Sequence, residues 1–104
     1  YDAVNNKMYF GKDGTWLNSG NPTSGSTGTG AFTPTATNGA YNNIYMPCWG
    51  VNYNSGYSSA FNFGNGYFNT TAVSSAGTNA SGNGIFEHNV PSGYTALSTK
   101  GLNL

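Results

Sequence analysis

Asn6-Lys7-Met8-Tyr9-Phe10-Gly11-Lys12-Asp13-Gly14-Thr15-Trp16-Leu17, residues 6–17, decides the fold class. Met8 and Phe10 share one face and Tyr9 takes the other; the run then meets Lys12-Asp13-Gly14 and returns as Thr15-Trp16-Leu17. Alternation at period 2 is the pattern of a half-buried strand. Asp-Gly supplies the positive φ that a tight hairpin needs. Similar short runs recur at Tyr1 to Val4, Ile44 to Val51, Ser59 to Phe63, Tyr67-Phe68, Ile85 to Val90 and Tyr94 to Thr99. Each is punctuated by Gly, Asn, Ser or Pro. Pro47 lacks an N–H, which puts the Ile44–Val51 strand at a sheet edge or on a bulge.

No window gathers helix formers, because Gly, Asn, Ser and Thr interrupt every stretch and disfavour helix interiors. Many short strands between frequent turns predict an all-β chain, an antiparallel sandwich or barrel, with residues 1–104 as one domain. Trp16, Phe61, Phe63 and Phe68 are the expected core, and Ala31-Phe32-Thr33 is expected to tuck an aromatic against it. Two polar connections stand out, Asn18 to Gly30 and Ser74 to Gly84. The first is long for a compact domain, which marks it as mobile or functional.

Composition narrows the function. Only 6% of the 104 residues are charged and the formal net charge is +0, against about 25% charged residues in an average soluble domain. Lys7, Lys12 and Lys100 are scattered, so no basic patch for nucleic acid or for an anionic membrane surface is expected. No apolar run reaches the roughly 18 residues of a membrane span. The 15% aromatic content argues against disorder, since disordered chains are poor in aromatics. Tyr1-Asp2-Ala3-Val4 carries no leader pattern, and the chain is expected to continue a longer polypeptide.

Catalytic chemistry finds little support. Asp2, Asp13 and Glu87 are the only carboxylates, and Asp13 is needed in its turn, so the two positioned carboxyls of a glycosidase are not expected. Cys48, the single cysteine, sits in Tyr45-Met46-Pro47-Cys48-Trp49 and reads as a small buried hydrophobe. His88 is the one candidate base, and no spacing pairs it with Cys48. One His and one Cys cannot fill a zinc site, so no metal or cofactor is expected. Gly28-Thr29-Gly30 has no following Lys and opens no helix, unlike a phosphate loop. Asn69-Thr70-Thr71 and Asn79-Ala80-Ser81 match the glycosylation pattern, which an Asn-rich chain produces by chance.

Trp49, Asn52, Tyr53, Asn54 and Tyr57 are the candidate ligand-binding residues. Flat rings beside amides suit a sugar: the ring takes its apolar face and the amides its hydroxyls. The same tyrosines would also cover a sheet or pack on a neighbouring subunit. That structural reading carries more weight, because aromatics are enriched at protein interfaces.

Several segments, in order, resemble the SPRY family. Residues 6–17 are similar to its aromatic strand, Lys-Asp-Gly turn and following Trp. Ala31-Phe32-Thr33 with Ile44-Tyr45-Met46-Pro47 resembles its approach to an aromatic-x-Pro strand. Phe61-Asn62-Phe63-Gly64-Asn65-Gly66-Tyr67-Phe68 resembles its Asn-Phe-Gly motif followed by an aromatic, and Val90-Pro91-Ser92-Gly93-Tyr94-Thr95-Ala96-Leu97-Ser98-Thr99-Lys100-Gly101-Leu102-Asn103 resembles the Pro-x-Gly-aromatic-x-Ala-Leu tail of the phage versions. The resemblance implies the later half of an antiparallel β-sandwich that binds partners through loops, without catalysis. The earlier strands would come from further sequence or from another chain.

The expected function is therefore a non-enzymatic structural virion protein of a tailed phage, an exposed tail-fibre or other appendage module. Its expected partners are copies of itself, other virion proteins and host surface glycans. The alternative is a carbohydrate- or peptide-binding module of a secreted or cell-surface bacterial protein.

Overall fold

A turn at positive φ on two successive residues organises the first hairpin. Asp13 (φ 50°) and Gly14 (φ 77°) join β1 (Gly11–Lys12) to β2 (Thr15–Trp16), with Gly11 opposite Trp16 and Lys12 opposite Thr15. Positive φ at both central residues is what lets the turn follow the strands' right-handed twist. A further bond, from the Leu17 N–H to the Phe10 carbonyl at 2.9 Å, extends the pair. The structure is a computed structural model and describes residues 1–35, 48, 50, 56, 58–78 and 82–98.

Two more antiparallel pairs follow. β3 (Tyr67–Phe68) pairs with β4 (Thr71–Ala72) across a turn in which Asn69 takes φ 58°. β5 (Gly77–Thr78) pairs with β6 (Ile85–Phe86). Single antiparallel bridges join Asp2 to Lys7 and Met8 to Phe32, and a parallel bridge joins Asn65 to Ile85. Among the described residues the only helical segments are 3-10 turns at Leu17–Ser19 and Gly25–Thr27. The architecture is thus short antiparallel β pairs linked by turns.

Several expected strands shrink or vanish. Tyr1 to Val4 contributes one bridge and a turn, Lys7 to Phe10 two bridges, and Ile85 to Val90 only β6. Ser59 to Phe63 and the described residues 94–98 form no strand. Conversely, the polar stretch Ser74 to Gly84 supplies β5. Local turns win over alternation here: the Pro91 carbonyl takes the Tyr94 N–H at 3.1 Å, and the Asn62 side-chain oxygen takes the N–H groups of Gly64 and Gly66 just beyond Ser59 to Phe63. The expected strand Ile44 to Val51 lies outside the described residues except for Cys48 and Gly50, which are not in a strand.

The expected core is corrected as well. Among the described residues no Val, Leu, Ile, Met, Phe, Tyr or Trp side chain is buried; Pro22, Pro34, Gly66 and Ser98 are the buried positions. Phe61 is 54% exposed, Phe63 45%, Phe68 37% and Trp16 36%. Phe32 bonds through its backbone to Met8, yet its side chain is exposed. Phe61 and Phe63 stack on each other with ring centroids 6.0 Å apart, which gives them a partner but not a core. Cys48 is exposed rather than buried. Two-residue strands offer too little surface to bury these rings, and no second sheet covers them among the described residues.

The long loop Asn18 to Gly30 is internally bonded. The Asn21 N–H donates to the Thr29 carbonyl at 3.0 Å, and the Ser24 hydroxyl donates to the Asn21 carbonyl at 2.7 Å while accepting from the Thr29 N–H at 2.9 Å. The Tyr94 hydroxyl donates to the Pro22 carbonyl at 2.9 Å and ties this loop to the chain's far end. No helix among the described residues is long and apolar enough to cross a membrane.

Candidate functional site

The site is a groove between the β1–β2 turn and the residues after β6. Its position follows from Glu87, immediately beyond β6. The Glu87 carboxylate accepts from the Ser74 N–H at 2.8 Å, the Ser75 N–H at 3.2 Å and the Ser74 hydroxyl. These bonds, the Ser74 hydroxyl first, hold the Glu87 carboxyl below its usual pKa, against a smaller opposing effect of desolvation. Beyond it the backbone of His88 and Asn89 runs so close to Gly77 that a Cβ there would lie 2.6 Å from the His88 carbonyl carbon. The chain is thereby steered onto the first hairpin, where a Cβ on Gly14 would lie 3.0 Å from His88 Cε1.

Gly11, Asp13, Gly14, Thr15, Trp16, His88 and Asn89 line the resulting groove, of about 510 Å³. That volume falls in the range of small-molecule sites. Trp16 rests against Gly11, where a Cβ would come within 3.4 Å of the indole. Asp13 sits at the turn beside Lys12, with nitrogen and oxygen 3.7 Å apart and both side chains strongly exposed. An exposed pair of this kind adds little stability. The groove offers an aromatic surface rimmed by a carboxylate, a hydroxyl, an amide and an imidazole.

A second groove, of about 650 Å³, lies between the N-terminal turn and Tyr94. Its carboxylate is already committed: Asp2 accepts from the Asn5 side-chain amide at 2.8 Å and from the Asn5 and Val4 N–H groups at 3.0 Å. These bonds, the Asn5 side chain first, lower the Asp2 pKa. Tyr94 is shifted upward by partial desolvation first, then by the nearby Asp2 and Tyr9.

The residues read from the sequence as ligand-binding, Trp49, Asn52, Tyr53, Asn54 and Tyr57, all lie outside the described residues. The groove instead joins Trp16, expected in the core, Asp13, expected only to make a turn, and His88, considered only as a base for Cys48. Nothing in the sequence couples residue 14 to residue 88. Among the described residues no three His, Cys, Asp or Glu side chains cluster as metal ligands would. Comparison with protein-family models, curated proteins and solved structures returned no match.

Proposed function

We propose that this chain is a non-enzymatic β module of an assembled particle, an exposed tail-fibre or other appendage segment of a tailed-phage virion. Its SPRY-like half-sandwich is completed by neighbouring strands, from its own polypeptide, other copies or other virion proteins. The observation that carries this reading is surface area. The chain exposes 7982 Å², whereas a compact monomer of 10.8 kDa exposes about 5,500 Å². Its Cα radius of gyration of 15.2 Å also exceeds the roughly 13 Å of a close-packed domain this long. Among the described residues Trp16, Phe61, Phe63, Tyr67, Phe68 and Ile85 all expose large apolar side chains, and exposed apolar surface of this kind marks association sites.

The test is to express residues 1–104 and measure mass by analytical ultracentrifugation together with amide exchange. Oligomers, or exchange protection gained only on association, support the reading. A compact, protected monomer at micromolar concentration overturns it. The open groove at Trp16 favours a second reading, a carbohydrate-binding module of a secreted or cell-surface bacterial protein. A stable monomer that binds sugar would select that one.

A further inference from the structure

We infer that the groove between the β1–β2 turn and His88–Asn89 seats one neutral sugar ring flat on the Trp16 indole. This rests on the carbohydrate-binding reading above and gives the glycan contact expected from the sequence a defined place, different from Trp49, Asn52, Tyr53, Asn54 and Tyr57, to which the sequence pointed. The Gly11 backbone lies against the indole, close enough that a Cβ there would sit in van der Waals contact with it at 3.4 Å. Trp16 lines a groove of about 510 Å³ while remaining 36% exposed. The face of an aromatic ring is electron-rich, and the axial C–H groups of a pyranose, polarised by the neighbouring oxygens, pack against such a face.

A sugar also needs hydrogen-bond partners around its edge. The Asp13 carboxylate accepts and the Thr15 hydroxyl both donates and accepts. The charge suits a neutral ligand: Asp13, the carboxylate lining the groove, is offset by Lys12, with nitrogen and oxygen 3.7 Å apart. Among the described residues the groove holds a single carboxylate, since Glu87 faces Ser74 and Ser75. Hydrolysis through paired carboxyls is therefore not part of the proposal.

The test is saturation-transfer NMR on the full chain in its native oligomeric state, with maltose, lactose and chitobiose as neutral probes and sialyllactose as the acidic one. Saturation of ring C–H protons in at least one neutral probe is expected. Trp16→Ala should weaken that binding about tenfold, the scale of a single aromatic contact. Because Trp16→Ala also disturbs the hairpin, Asp13→Asn and Thr15→Val provide independent arms. Asn tolerates the left-handed turn position, so Asp13→Asn should weaken binding with an unchanged circular dichroism spectrum. No saturation of any neutral probe, wild-type affinity in all three variants, or tighter binding of sialyllactose would overturn the site. A monomer that binds maltose would refute assembly and keep the site; an oligomer that binds no neutral probe would do the reverse.

Discussion

The Asn62 side-chain amide donates to the Ile85 carbonyl at 2.9 Å, while its oxygen accepts from the Gly64 and Gly66 N–H groups at 2.8 and 3.3 Å. One side chain thus shapes the turn at Gly64-Asn65-Gly66 and fastens it to β6. The Ile85 N–H returns a bond to the Gly64 carbonyl at 3.0 Å. Asn62→Ala should lower stability by about 1–2 kcal/mol, since a part-exposed cluster loses each bond at a modest net cost. Asn62→Asp keeps the acceptor and should cost less. Urea unfolding of the three proteins checks the ranking.

Glu87 predicts a pH dependence. Its folded pKa lies below its usual value, the Ser74 hydroxyl bond being the first cause. The unfolded carboxyl therefore takes up a proton before the folded one does. The stabilisation is complete above the ordinary carboxylate range and is lost as pH falls through the lowered folded value. Glu87→Gln should remove this part of the acid sensitivity. Asp2 is shifted in the same direction, so some acid sensitivity should remain in Glu87→Gln. Melting curves of both proteins from neutral to acidic pH provide the measurement. Parallel profiles would show that the carboxylate contributes nothing.

Gly14 carries two demands at once. Its φ is 77°, and a Cβ there would press on the His88 ring, 3.0 Å from Cε1. Gly14→Ala should cost about 1–2 kcal/mol from the left-handed backbone alone. It should also shift the His88 imidazole resonances in an NMR spectrum. A shift confined to residues 11–16 would show that the hairpin and His88 are not in contact.

Phe61 and Phe63 separate the isolated chain from its assembly. Both rings are about half exposed and stack on each other. In the isolated chain Phe61→Ala should therefore cost about 1 kcal/mol or less, as exposed substitutions generally do. If the rings are covered on assembly, the same substitution should weaken association by more than it weakens folding. Comparing the unfolding midpoint with the dissociation constant of the oligomer decides between the two.

Turn chemistry was written in the sequence. Asp13-Gly14 makes its hairpin and Gly64-Asn65-Gly66 its turn, and Asn6, Asn18 and Asn69 take the left-handed backbone that Asn tolerates. The absence of helix formers was equally plain, and among the described residues only three-residue 3-10 turns occur. These features are local, because a turn's strain is set by the few residues within it. Tertiary structure alone decided that Trp16, Phe61, Phe63 and Phe68 lie exposed. Alternation tells which side chains share a face, but a face is buried only when another layer lies over it. It also decided that Glu87 reaches Ser74, that Tyr94 bonds Pro22 and that His88 rests on Gly14. Such pairings depend on how distant segments meet in space, which period and spacing along one chain do not encode.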